Sequence, residues 1–190
     1  MEWAGKNLEV IFVRQSDLAS SQRQRIKELQ KECFGHVNRE ELEECFIAEG
    51  FGWIFAYEIG LIVGQVELHS RTVQFEGRQL SLGGLGGTCV TAAARNRGTA
   101  RAMVKKGLEI LMHEMKSDVA CLNADIEHHP DGGLYHQLGF RLMKRKVSFE
   151  DAYGETRYDI GELFIPLCSK EIYDFIMKSD RTFNLGRGYW

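Results

Sequence analysis

Four glycines, at positions 83, 84, 86 and 87, fall inside Leu80–Val90, a segment with the length of a β-strand and a Thr88-Cys89-Val90 ending. Glycine weakens a strand, so a run of it marks a bulge or a backbone that another group must approach closely. Arg95-Asn96-Arg97-Gly98-Thr99-Ala100 follows. It leads into a helix whose apolar residues Ala100, Met103, Val104, Leu108, Leu111 and Met115 recur at three- and four-residue steps. The chain must therefore fold so that a strand end delivers a loop to the start of a helix. Unpaired N–H groups, the helix dipole, a glycine and several arginines meet there, which makes a site for a phosphate-bearing anion.

Two familiar phosphate loops do not fit. A Walker loop needs Lys-Ser/Thr after its last glycine, and Gly98 is followed by Thr99-Ala100; a dinucleotide fingerprint beginning at Gly84 needs glycine where Cys89 stands. Arg95 to Ala100 resembles instead the pyrophosphate loop Arg/Gln-x-x-Gly-x-Gly/Ala of the GCN5-related N-acetyltransferases. Val90 stands five positions before the arginine, as that family's strand-end residue does. Leu134-Tyr135-His136-Gln137-Leu138-Gly139-Phe140 is similar to the family's second signature, Leu-Tyr-x-x-x-Gly-Phe. The resemblance covers about residues 61–149. It implies an α/β (α+β) fold of the GNAT type, with a central mixed, mostly antiparallel sheet of about seven strands flanked by helices, and acetyl-CoA as acyl-donor cosubstrate.

By the same resemblance, backbone N–H groups of Asn96, Arg97, Gly98, Thr99, Ala100 and Arg101, with Arg95 at the head of the loop, cradle the pyrophosphate. The backbone of Thr88, Cys89 and Val90 pairs with the pantetheine like an added strand, and an N–H near Cys89 or Val90 faces the developing oxyanion. Tyr135 lies near the thioester sulfur as general acid. Transfer to an amine also needs a proton acceptor. Many members of the family carry a glutamate on the central strand, whereas Leu80–Val90 contains no acidic residue. Glu67, Asp125, Glu127, His128, His129 and the terminal carboxylate are all candidates, and none outranks the others. No metal is expected: adjacent histidines rarely turn both rings to one ion, and no Cys or His spacing elsewhere completes a zinc set.

The acceptor is less legible. Glu40, Glu41, Glu43 and Glu44 crowd a helix expected over about 39–48, with Leu42, Phe46 and Ile47 turned inward. Such a cluster fits a solvated helix face. In the family fold, however, the first two helices border the acceptor side, which places Glu40 and Glu41, and with them Glu127, where an amine would be drawn in. A second resemblance is to the aminoglycoside 2′-N-acetyltransferases. It rests on the hairpin Arg71–Leu85, the strand Leu163–Leu167 and the ending Gly186-Arg187-Gly188-Tyr189-Trp190, and it implies that Trp190 lines the acceptor pocket. The strand glutamate of those enzymes corresponds to Gly86 here, and their acid before the terminal tryptophan is missing. Three readings stay open: an acetyltransferase for a small polar amine such as an aminoglycoside or aminocyclitol, one for a peptide, protein amine or polyamine, and a non-catalytic acyl-CoA-binding module.

Composition narrows the setting. With 190 residues, 44% of them hydrophobic and only two prolines, the chain suits one packed acetyltransferase domain over 1–190. A net charge of −3 gives no general drive toward nucleic acid or anionic membrane, and the first residues lack a secretory signal pattern. Five widely spaced cysteines without a Cys-x-x-Cys pair suit a reducing, cytoplasmic location. A monomer and a homodimer are both compatible with the sequence. Strands are expected at 8–13, 51–57, 61–70, 73 with 79–90, 119–122, 141–150 and 158–167, and helices at 21–34 and 169–178.

Overall fold

The computed structural model describes residues 8–124 and 133–190. Strand β1, Leu8–Arg14, pairs antiparallel with β2, Gly52–Glu58. Between them run helix α1, Ser20–Phe34, with Ile26 and Leu29 buried, and helix α2, Arg39–Cys45. The Asn38 side chain caps α2 by accepting the Glu40 N–H at 3.0 Å. The helix ends at Cys45 rather than near residue 48, so Phe46 lies beyond it and is 40% exposed instead of facing the core.

Strand β3, Leu61–Phe75, and strand β4, Arg78–Val90, form one long antiparallel hairpin. Helix α3, Thr99–His113, returns the chain to strand β5, Val119–Asn123, which lies parallel to β4. After the short helix α4, Gly133–Gln137, the chain departs from expectation. The stretches 141–150 and 158–167 each divide in two, giving β6, Arg141–Leu142, β7, Val147–Glu150, β8, Thr156–Asp159, and β9, Glu162–Pro166. The breaks fall at the basic Lys144-Arg145-Lys146 and at Ile160-Gly161, neither of which offers an alternating apolar face to a sheet. Helix α5, Lys170–Lys178, capped by Ser169, leads to β10, Phe183–Arg187. The main sheet has seven strands in the order β1-β2-β3-β4-β5-β9-β6, and β10-β7-β8 form a separate three-stranded sheet.

Strand alternation divides the main sheet into two working faces. On one, Ile54, Val66, Leu68, Leu85, Ala120, Leu122 and Leu163 pack with Met103, Val104 and Leu111 of α3. On the other, Leu80, Leu82, Val119, Cys121 and Phe164 meet Val147, Phe149, Phe183, Leu185, Tyr189 and Trp190. The final segment thus lies across the sheet as part of the core. Arg71 clamps it: Nη1 donates to the carbonyls of Leu185 and Arg187, both at 2.8 Å, and the guanidinium sits 4.4 Å from the Trp190 ring centroid. Backbone bonds from Tyr189 N–H to the Cys45 carbonyl and from Gly188 N–H to the Glu150 carbonyl, each 2.7 Å, tie the same segment to the end of α2 and to β7.

The tail can lie this close because β4 presents glycine beneath it. A Cβ placed on Gly84 would collide with the Trp190 indole. Gly84→Ala is expected to lower the unfolding free energy by about 1–3 kcal/mol, the usual range for overpacking, measured by urea denaturation. An unchanged midpoint would mean that Trp190 is not seated on β4.

Candidate active site

The site is built around a parting of strands. β4 and β5 pair only through Leu82↔Val119, Gly83↔Ala120 and Gly84↔Cys121. Beyond that point β5 pairs with β9 alone, while β4 continues to Val90 with β3 as its only partner. The β3–β4 register also slips between Gln65↔Cys89 and Glu67↔Gly86, which leaves an extra residue on β4. Gly87, at φ +53°, occupies this bulge, a conformation that glycine enters without steric cost. Among the described residues, the β5-facing edge of residues 85–90 is therefore a row of backbone groups without a strand partner.

The anion loop opens at the end of the same edge. Gly98, at φ +83°, is the N-cap of α3, and the space where its Cβ would stand is open. The first intrahelical bond of α3 is from Ala102 N–H to the Gly98 carbonyl, at 2.9 Å. The N–H groups of residues 96–101 thus have no backbone acceptor among the described residues. Thr99 is buried and its hydroxyl donates to the Ala94 carbonyl at 3.1 Å, while Arg95 Nε donates to the Val90 carbonyl at 3.0 Å, fixing the loop to the strand end. Arg97 lies 3.4 Å from Glu58. Arg101 donates to the Gln137 side chain and so joins α3 to α4. This arrangement of free N–H groups, open glycine and guanidinium groups fits a pyrophosphate.

Tyr135 stands on α4, packed against the α3-side core with its ring edge toward Phe140 at 5.9 Å. Burial raises its hydroxyl above the usual tyrosine range, and the Thr88 side chain pulls the other way, so the phenol lies beside the β4 bulge and keeps its proton at neutral pH. Cys89 is buried, and burial pushes its thiol up, which argues against a thiolate there.

The opposite face of the split carries side chains whose proximity follows from register. Glu67 and His69 of β3 pair across from Gly86 and Gly84 of β4, on the face that Trp190 covers. His69 is 2% exposed and stacked on Trp190, with ring centroids 5.4 Å apart. Burial, and then the Arg71 charge, hold its pKa down to about 3. Glu67 accepts the Gly50 N–H at 3.2 Å, and its burial raises its pKa to about 7. Further along, Tyr189 stacks on Phe149 and donates to the buried Glu162, while Asn123, the last residue of β5, donates to the Tyr189 oxygen at 2.7 Å. Burial raises Glu162 to about 7, with the Tyr189 bond opposing it.

Beside Asn123 and Tyr189 lies a cavity of about 420 Å³, whose walls carry Glu40, Glu41, Glu44 and Asp159 together with Phe46, Tyr158 and Tyr189. Arg157 also reaches this wall, 2.7 Å from Asp151 and 3.8 Å from Glu44. The structure thus brings Glu40 and Glu41 into one cavity. It places Trp190 on β4 behind Tyr189, which is the tail residue that lines the cavity. Asp125, Glu127, His128 and His129 lie outside the described residues. Glu44 belongs to the acidic cluster on α2, whereas Tyr158 and Asp159 were not foreseen as wall residues and carry no local signal in the sequence.

This split sheet, with a basic helix start at its mouth, suits a ligand that carries both an extended amide chain and phosphates. The family model described as "Acetyltransferase (GNAT) domain" matches residues 15–143, and the chain belongs to that family. Among solved structures it resembles Escherichia coli ElaA (TM-score 0.57, 16% identity, covering 83% of this chain and 97% of that one). It also resembles a GNAT family acetyltransferase from Brucella melitensis in complex with acetyl-CoA (TM-score 0.53, 17% identity, 85% and 89%). A third, Eis1 from Mycobacterium abscessus, has a TM-score of 0.57 at 15% identity over 75% of this chain, which spans only 33% of Eis1. These identities speak for the fold. No curated protein matches the chain in sequence. Among the described residues no helix is long and apolar enough to cross a membrane.

The raised carboxyl groups carry a pH signature. Glu162 and Glu67 keep their protons to about pH 7 when folded but ionise from an ordinary 4.5 when unfolded. Their contribution is therefore full below about 4.5 and is lost as pH rises through 7. For the fully buried Glu162 this is on the order of 3 kcal/mol. Glu162→Gln, which keeps a carbonyl for Tyr189 to donate to, is expected to lessen the fall of urea-measured stability between pH 5 and about 7.5, with Glu67 supplying what remains; an unchanged pH slope would contradict this placement.

Proposed function

We propose that the chain acetylates a primary amine of a small polar molecule bearing further cationic groups, a description that aminoglycosides and aminocyclitols meet. The observation that carries this reading is the cavity beside the split, where four carboxylates, Glu40, Glu41, Glu44 and Asp159, face a single guanidinium, Arg157. Carboxylates around a concave wall attract ammonium groups, and the exposed faces of Phe46 and Tyr158 suit a cation. The tail over β4 supports a bounded acceptor site rather than an open peptide groove. All five cysteines are free thiols, which favours a reducing compartment, the cytoplasm.

When bound, acetyl-CoA supplies an activated acetyl thioester. The N–H groups of Asn96 to Arg101 hold its pyrophosphate, with Arg95 and Arg97 adding charge. The free edge of Thr88, Cys89 and Val90 aligns the pantetheine, and an N–H at Cys89 or Val90 donates to the carbonyl oxygen as it gains charge. Tyr135, kept protonated by burial, protonates the departing sulfur. The Arg101–Gln137 bond couples the anion loop to the helix that carries this acid.

Thiol release from acetyl-CoA, followed with kanamycin, streptamine, spermidine and an amine-terminated peptide as acceptors, tests the reading. Turnover is expected on the polycationic sugars. Replacing both Glu40 and Glu41 by glutamine should raise the acceptor KM on the order of tenfold, and Tyr135→Phe should lower kcat about 10- to 100-fold without weakening acetyl-CoA binding. Turnover confined to the peptide, or an unaltered kcat in Tyr135→Phe when chemistry limits the rate, would contradict it.

A further inference from the structure

The reaction needs a proton acceptor, and β4 supplies none: from Leu80 to Val90 it holds no acidic side chain. Resting on the transferase reading above, we infer that Glu67 is the catalytic base, working from β3 across the strand that elsewhere in the family would carry it. The register puts Glu67 directly opposite Gly86 at the β4 bulge. Antiparallel partners share a face, so the carboxylate lies on the acceptor side, across from a position of β4 that carries no side chain. Tyr135 belongs to the core on the other face. The bulge is thus flanked by a proton donor on one side and a carboxylate on the other.

The bonding of Glu67 is that of a usable base. Its side chain is 22% exposed, largely shielded but within reach of solvent. Oε1 accepts the Gly50 N–H, whereas Oε2 has no hydrogen-bond partner among the described residues, its nearest polar neighbour being His69 Nε2 at 3.7 Å. An arginine in that place would hold the carboxylate far down and make it a weak base. His69 does not act so, because burial keeps its ring neutral. The other groups around Glu67 are Arg71, farther along its own strand, and Glu49 in the loop above; β2 presents Trp53, and β4 presents Gly86 and Cys89. The packing at Gly86 is tight, since a Cβ there would stand 3.0 Å from both His69 Nε2 and the Trp190 main-chain carbon and 3.2 Å from the Trp190 Cβ. His69, stacked on Trp190 and 3.7 Å from Glu67 Oε2, is a positioning residue that walls the carboxylate.

In the balanced step the amine nitrogen bonds the thioester carbonyl carbon and the carbon–sulfur bond breaks. The proton of the nitrogen passes to Glu67 Oε2, directly or through one water, and the sulfur takes the Tyr135 proton; solvent returns both groups to their starting states. The wild-type kcat should then rise with pH through about 7, where Glu67 ionises.

The decisive experiment compares wild type, Glu67→Gln and Glu67→Asp over pH 5.5–9 on the amines named above, with acetyl-CoA affinity by calorimetry as the check on folding. Glu67→Gln is expected to bind acetyl-CoA normally, lose about 10²–10³-fold in kcat and lose the limb near pH 7. Glu67→Asp should be slower than wild type but keep the limb, and it decides the matter should the glutamine variant not fold. A glutamine variant within threefold of wild type, or an aspartate variant without the limb, overturns the base and leaves the transferase reading standing. A wild type that binds acetyl-CoA but acetylates none of the amines overturns both.

Discussion

The loss of pairing between β4 and β5 after Gly84 and Cys121 is the constraint on which the site depends. A buried backbone polar group without a partner costs free energy, so strands seldom separate inside a sheet unless something else takes up their hydrogen bonds. Here the bulge at Gly87 turns β4 away while β5 stays with β9, and the exposed edge of residues 85–90 becomes a template for an extended ligand. Because β4 also feeds α3 through the Arg95–Gly98 loop, the same divergence sets a helix start at the mouth of the opening. One local irregularity thereby supplies both a polar edge for an amide-bearing chain and a cradle for its phosphates.

The segment 183–190 is the second constraint. It joins the small sheet to the large one, passes beneath the end of α2, and lays Tyr189 and Trp190 on the face of β4 and β5 opposite α3. Arg71 holds it at two carbonyls and one indole ring. This packing buries His69, leaves Glu67 partly shielded, and makes Tyr189 the wall between the Glu162 network and the acidic cavity. Burial is the first cause of the raised pKa values of these carboxyl groups, and the Asp159 charge adds to it at Glu162.

Features confined to a short stretch were legible in the sequence. Arg95 to Ala100 and Leu134 to Phe140 are local patterns whose geometry follows from a helix start and a short helix, and they pointed to the family that the match over 15–143 establishes. The seven-stranded main sheet followed from that resemblance. What depends on which distant residues become neighbours was not legible. Glu67 stood among equal candidates because only the β3–β4 register, with its slip at the bulge, sets it opposite Gly86. The split of 141–150 and 158–167 into strands of two sheets, and the meeting of α2, β8 and Tyr189 around one cavity, arise from long-range packing that alternation alone does not encode. Phe46 was expected to face inward; α2 ends before it, and its ring packs on Tyr189 at 5.3 Å, at the cavity wall.

The central claim is that the parted edge of β4 and the start of α3 together receive acetyl-CoA. Amide hydrogen exchange with and without acetyl-CoA tests it most directly, because the N–H groups on the β5-facing edge of β4 and at the start of α3 have no backbone acceptor among the described residues and should exchange rapidly until a ligand covers them. The account predicts slowed exchange concentrated in residues 85–90 and 96–101, with the outer strands β1 and β2 unchanged. Protection centred elsewhere, or binding that leaves both stretches exchanging as before, would contradict it.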